Sequence, residues 1–358
     1  MAIVIVGLVL SNGCSTTCCK QKAAATSSST PCMDVLARFT APDVPAVGPV
    51  EQPVPMGRWT NALTPPNLPG NGLAQHPMLY IGESCNTIFL INKGKVIWTY
   101  STGKGNELDD AWMLSNGNIL FSRMQYVAEI TPEKKEIWRY TCPTNAQIHC
   151  CQPIGMDKVL LIQNDLPPHL MVINIKTGAV EVDHVVPCRS LTDPKTVHPQ
   201  YRRVRYTADG HYLVPALGLG TNGVVIEYDQ NFNEVWHYNI RSPWAAIRLK
   251  NGNTLITDEG DKLQREVNPR GETVWELKPT DLPEQYRYIN TQSCTRLTNG
   301  NTIVCSRGGS GKGPQLVEVT PDKKVVWVLQ DWKDLGPATA VQVLDDPGIP
   351  EIPGESEH

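Results

Sequence analysis

Phenylalanine is scarce, at 4 of 358 residues. A surplus of positive charge is missing too: 32 Lys and Arg stand against 36 Asp and Glu, a formal net charge of −4. That balance gives no footprint for nucleic acid, which takes a basic surface. Long apolar runs are absent. The stretch Ala2–Leu10 falls well short of the ~20 residues that span a bilayer. A polytopic membrane protein is thereby excluded. No Walker pattern, Gly-x-Ser-x-Gly or His-Glu-x-x-His occurs, so the common phosphate-loop, serine-hydrolase and zinc-protease signatures are missing. What the chain has in quantity is Gly (28) and Pro (29), about 16% of residues against a usual ~12%. That favours many turns over long helices. The 11 cysteines are an odd number and cannot all pair within one molecule.

The first 19 residues read as a leader. Ala2–Leu10 fits the apolar core of a secretory signal, although no charged segment precedes it. Leu10-Ser11-Asn12-Gly13-Cys14 resembles a bacterial lipobox, with the Leu one position further from the Cys than usual. This resemblance makes Cys14 the expected acylation site. It implies an exported protein, periplasmic, outer-membrane-anchored or secreted, that meets a membrane only through its lipid. Residues 20–72, rich in Ala, Ser, Thr and Pro, read as a tether and extended arm, with Trp59 and Leu63 as its pins.

Internal repeats decide the architecture. One copy runs Ile247–Leu249, Asn251-Gly252, Thr254–Thr257, Arg265–Val267, Asn268–Gly271 and Thr273–Leu277 around Trp275. Others centre on Asn116-Gly117 with Trp138, Asn299-Gly300 with Trp327, and Asp209-Gly210 with Trp236. The weakest has Met156-Asp157 as its turn and Val182 in the Trp slot. Val, Ile and aromatic residues at period two make strands, and Asn-Gly predicts type I′ hairpins. The first copy has only three strands, Met78–Gly82, Ile88–Asn92 and Val96–Tyr100, and its missing partner is Thr339–Leu344. The expectation is an all-β, six-bladed propeller over residues 73–345. Its blades have four strands. Three N-terminal strands and one C-terminal strand close the ring and remove open sheet edges. The Trp residues should pack between blades. Residues 346–358 remain as a tail.

The string from Leu249 to Leu277 (LKNGNTLI, then EVNPRGETVWEL) resembles PQQ-like, or quinoprotein-like, repeats and arylsulfotransferase-like propellers. The first likeness implies a quinone stacked on an adjacent Cys pair, for which Cys150-Cys151 stands. The Asp, Glu and Asn ligands of a calcium-bound quinone have no assignable counterparts, and no cofactor is expected. The second implies a His nucleophile at the start of an innermost strand, where His149 alone qualifies. Asp258-Glu259-Gly260-Asp261 offers oxygen ligands for Ca²⁺ without the spacing of a calcium loop. Cys142, His149, Cys150 and Cys151 offer N and S atoms without regular zinc spacing.

Loop lengths choose the working face. The hairpins within blades are short on one side. The connections on the other side are long and irregular, as in Val186–Tyr201 and Lys278–Asn290. Innermost strand starts should bring Asp109, Asp110, Trp112, Gln147, Arg202, Trp244 and Gln292 to the channel mouth. The loops between second and third strands add Glu83, Arg123, Asn164, Asp258 and Arg307. Arg forks and Trp faces together point to an anionic, ring-bearing ligand such as an acidic carbohydrate. His149 and Tyr201 are the candidate acid–base groups. Three functions fit: a monomeric binder of a small molecule, glycan or envelope protein; a lyase, hydrolase or sulfotransferase at the same pore; or an envelope assembly scaffold.

Overall fold

A computed structural model describes residues 30–40, 68–82, 86–103, 105–219, 222–309, 312–332, 334–356 and 358. Cys14, Trp59, Leu63, Glu83 and Cys85 lie outside the described residues. The repeats fold as six antiparallel sheets, the blades of a six-bladed β-propeller. Blade 1 runs Ala338–Val343, Met78–Gly82, Thr87–Asn92 and Lys95–Ser101 from the axis outward. The closing strand is therefore C-terminal, with Met78 opposite Val343 and Tyr80 opposite Val341. Leu108–Met113, Pro243–Arg248 and Thr291–Arg296 are the innermost strands of blades 2, 5 and 6. Blade 3 begins with a broken strand, Gln147–Ile148 and Gln152–Ile154, and blade 4 with Arg205–Tyr206.

The Asn-Gly turns differ from the expected type I′. Gly117, Gly252 and Gly300 have φ near +87°, but their Asn neighbours do not have positive φ. Each is a type I turn closed by a left-handed Gly, a three-residue loop. The Asn side chain selects this form. Asn116 Oδ1, Asn251 Oδ1 and Asn299 Oδ1 each accept the N–H two residues on, at 2.8–2.9 Å. A type I′ pair does occur at Lys93-Gly94, where both φ values are positive.

Blades are joined by a repeated clasp. Trp138, Trp236, Trp275 and Trp327 each sit opposite a third-strand Glu, namely Glu129, Glu227, Glu266 and Glu318. These carboxylates are buried, so they need donors. Asn118, Asn253 and Asn301 supply them from the hairpins of the same blades, at 2.6–2.7 Å. The next blade adds a cation. Arg248 pairs with Glu227, Arg296 with Glu266 at 2.9 Å, and His76 with Glu318 at 2.9 Å. Indole N–H groups also cross the seams: Trp98 to Pro132 O at 2.9 Å, Trp275 to Pro321 O at 2.8 Å and Trp327 to Gly72 O at 2.9 Å. The tryptophans do pack between blades.

Part of the expected extended arm is a docked turn of helix. Pro31–Asp34 and Leu36–Arg38 place Cys32, Leu36 and Phe39 in the core shared by blades 1 and 2, with Phe39 edge-on to Trp98 at 5.4 Å. Three spaced apolar residues, too few for a periodic signal, suffice for this. The seven cysteines among the described residues are all free thiols. Among the described residues, no helix is long and apolar enough to cross a membrane.

The channel is filled by charge. Asp110 Oδ1 accepts from Arg203 Nη1 at 3.1 Å, and Oδ2 accepts from Arg205 Nη1 at 2.9 Å. All three are buried. Burial alone would raise the Asp110 pKa, but the two guanidinium groups bring it below the usual carboxylate value. The C-terminal residues cross the short-turn face. Glu351 accepts from Ser115, Gly155 donates to Glu351 O at 2.8 Å, and Thr298 donates to Asp346 at 2.7 Å. His358 enters the channel, its ring 3.9 Å from that of Trp112 and its backbone oxygen accepting from Arg205 Nε at 2.9 Å.

Two predictions follow from these clasps. Removal of the Asp110 carboxylate leaves two buried guanidinium groups uncompensated. Asp110→Ala should lose about 3–5 kcal/mol of stability in chemical denaturation; a loss near zero would contradict the role given to Asp110. His76 is the second case. Burial lowers its pKa, but hydrogen bonds and charge from Asp345 and Glu318 outweigh this and raise it to about 9. A raised pKa stabilises the fold fully below the unfolded value of ~6.5, and this is lost as pH climbs through 9. The stability gap between wild type and His76→Gln should be roughly 2 kcal/mol at pH 6 and close by pH 10. A pH-independent gap would refute that assignment.

Candidate functional site

One extra residue recurs near the start of the innermost strands. In blade 2 Leu108 faces Arg123 and Asp110 faces Ser122, so Asp109 is extra. Trp244, Gln292 and Thr339 hold the same place in blades 5, 6 and 1. In blade 3, His149–Cys151 lie opposite Leu161 and Ile162 alone. In blade 4, Arg202–Val204 lie opposite Val214 and Pro215. A bulge re-aims a side chain and interrupts the ladder. The pattern sets Asp109, His149, Arg202, Trp244 and Gln292 at successive blades on the long-loop side.

Several of these residues form a continuous hydrogen-bonded chain. His149 Nδ1 lies 2.8 Å from Asp109 Oδ2, and its Nε2 lies 3.1 Å from Gln147 Oε1. The same Gln147 oxygen is 2.8 Å from His198 Nδ1. His198 Nε2 accepts a hydrogen bond from Arg202 Nη2 at 2.9 Å. Burial pushes Asp109 up to about 6, against the pull of Arg202 and Arg203. Burial and then Arg202 hold His149 well below its ordinary value. Glu107, His149 and His198 bring ligand-type atoms within 4.8 Å of one another. However, the Arg202 N–H points at the His198 Nε2 lone pair and adds positive charge, which disfavours a metal ion there, and the two imidazoles are joined through Gln147 instead.

Beside this chain lies a cavity of about 770 Å³. Its outer wall is the connection from blade 3 to blade 4, steadied where Asp193 Oδ1 accepts from Lys195 N at 3.0 Å and Ser190 Oγ accepts from Asp193 N at 3.0 Å. Four cationic side chains line it, Arg189, Lys195, Arg202 and Arg307, against two carboxylates, Asp193 and Glu259. Its inner wall carries Trp244, with the Arg202 guanidinium 4.6 Å from the ring centroid. Trp244 and Gln200, both lining residues, carry deeply buried atoms, Nε1 and Oε1, with no hydrogen-bond partner among the described residues.

The residues singled out from sequence divide into groups. Arg202, Trp244, Arg307 and Tyr201 line the cavity, and Gln292 meets Arg307, whose Nη1 donates to the amide oxygen at 2.9 Å. His149 and Gln147 lie in the chain behind it. Tyr201 presents its ring, but its hydroxyl is given to Pro187 O, and burial pushes its pKa far up. Asp110 and Trp112 are deeper in the channel, Trp112 donating to Cys151 O at 2.7 Å. Arg123 holds the loop at Asn106 O, Asn164 binds Tyr201 O, and Asp258 caps the N–H groups of Ser242 and Gly260. Sequence reasoning missed Glu107, His198, Gln200 and the loop cations Arg189 and Lys195. They sit in irregular connections, where no period marks them. The bulge register is the signal that groups Asp109 with His149 and Arg202.

Neither a family model nor a curated protein matches the chain. Solved β-propellers do. A protein of unknown function from Bacteroides caccae is 25% identical, with a TM-score of 0.65, over 74% of this chain and 97% of its own. The extracellular domain of a hybrid two-component system from B. thetaiotaomicron is 12% identical, with a TM-score of 0.52, over 83% of this chain and 38% of its own. A catalytically inactive virginiamycin B lyase from Staphylococcus aureus, with quinupristin, is 12% identical, with a TM-score of 0.51, over 73% of this chain and 88% of its own. At 12% identity, what the last two share with this chain is the propeller fold.

Proposed function

We propose that the protein binds an anionic, ring-bearing ligand, such as an acidic carbohydrate, in the cavity beside the channel mouth. The observation that carries this reading is the cavity lining. A space of about 770 Å³ falls within the usual size of ligand pockets. Its four cations outnumber its two carboxylates. The Arg202 guanidinium lies over the Trp244 ring at 4.6 Å, so a cation and an aromatic face stand together on the cavity's inner wall. Arg forks suit a carboxylate or sulfate, and the Trp244 face suits a ring.

Binding is favoured over turnover by the two groups expected to move protons. Both His149 nitrogens are engaged by Asp109 and Gln147. The Tyr201 hydroxyl is spent on a backbone carbonyl. Neither is presented to the cavity as a ready acid or base.

Calorimetry against a panel of acidic and neutral glycans tests the reading. Acidic members should bind, and Arg202→Gln with Trp244→Leu should weaken them about 10–100-fold while circular dichroism shows the variant still folded. Equal binding of neutral and acidic glycans, or a double variant that binds as well as wild type, would overturn it.

A further inference from the structure

The hydrogen-bonded chain behind the cavity fixes its own protons. Arg202 Nη2 can only donate, so His198 Nε2 accepts. His198 Nδ1 therefore carries the hydrogen and donates to Gln147. The Gln147 atom between the two imidazoles must then be its oxygen, which accepts from His149 Nε2 as well. With Nε2 protonated, a neutral His149 has a bare Nδ1 facing Asp109 Oδ2 at 2.8 Å. That contact is a hydrogen bond only if the Asp109–His149 pair holds one proton more than an ionised carboxylate beside a neutral imidazole. The proton sits on Asp109 or on His149 Nδ1; the count is the same.

From this geometry we propose that the cavity binds its anionic ligand together with a proton, held by the Asp109–His149 pair and reported to the cavity through Gln147, His198 and Arg202. The proposal rests on the anionic-ligand reading for its second half and on the chain alone for its first. Charges face the pair from several blades, Arg123 of blade 2 among them, whose charge is coupled to Asp109. Arg202, Arg203, His198 and Asp110 act on Asp109, Arg202, Glu107 and His198 act on His149, and Arg307 acts on His198. With the proton in place, the pair is neutral overall and the cavity wall loses one negative charge. Without it, His149 must turn its hydrogen to Nδ1, Gln147 must reverse its amide, and His198 must give up its acceptor to Arg202. Anion binding and proton uptake therefore favour each other, and by linkage each strengthens the other equally. The raised Asp109 pKa of about 6 places the change between neutral and mildly acidic pH.

Two measurements test this on the intact protein. The first is ¹⁵N NMR of the imidazoles without ligand. At pH 5 His149 should carry hydrogen on Nε2 and His198 on Nδ1, with the His149 pattern changing as pH rises to 8. A His149 with bare Nε2 at pH 5 would overturn the chain. The second is calorimetry with a galacturonate trisaccharide, whose carboxylates stay ionised from pH 5 to 7.5. Wild type should bind about five- to tenfold tighter at pH 5. Asp109→Asn, whose amide donates to His149 Nδ1 as a protonated carboxyl does, should bind at the tight level at both pH values. Wild-type affinity independent of pH, or an Asp109→Asn variant with the wild-type pH dependence, would sink the coupling. Absence of trisaccharide binding at both pH values counts against the anionic-glycan reading, and the NMR result then decides the proton chain by itself.

Discussion

Closure is the constraint on which the rest of this molecule depends. A blade is a twisted sheet with two faces to cover, and only a neighbour on each side covers them. Ala338–Val343 laid against Met78–Gly82 completes blade 1 and lets blade 6 meet it. The seam is then set by buried carboxylates. Glu227, Glu266 and Glu318 each take a donor from their own blade and a cation from the next. Each such group is costly alone and favourable only when both partners arrive. The clasp therefore ties the burial of one blade to the presence of the next.

The same constraint divides the channel into two parts. At depth, Arg203 and Arg205 share the Asp110 carboxylate, and the C-terminal residues cross the short-turn face. At the opposite end, the innermost strands loosen into bulges. The side chains released there reach the long connections instead of the next rung of the ladder. The Asp109, His149 and Arg202 bulges thus converge with the long connections at this end. Arg202 belongs to both worlds: it follows Tyr201 in the blade 4 bulge, stacks on Trp244 and fixes the tautomer of His198.

The architecture was legible because the repeats carry their own punctuation. Asn-Gly turns and fourth-strand Trp recur at matching places, and Thr339–Leu344 has no successor. The structure moves that strand by one residue. The turn type was misread because Asn-Gly is a shared signature. The choice between type I′ and a left-handed Gly after a type I turn depends on whether the Asn side chain caps the N–H two residues on. The site was harder to read. Trp112 and Asp110 lie on the same strand as the bulge but face the channel core, and a shift of one residue reverses which face a side chain meets. His198 and Gln200 belong to a loop with no repeat to align, so only three-dimensional placement brings them to Arg202.

The central claim is that an anionic ligand sits against Arg202 and Trp244 on the long-loop face. A crystal structure of the protein with a bound acidic oligosaccharide tests it most directly. A carboxylate should lie on the Arg202 and Arg307 guanidinium groups, with a sugar ring over Trp244. Density for the sugar on the short-turn face, or a cavity left empty while the ligand binds elsewhere, would contradict it.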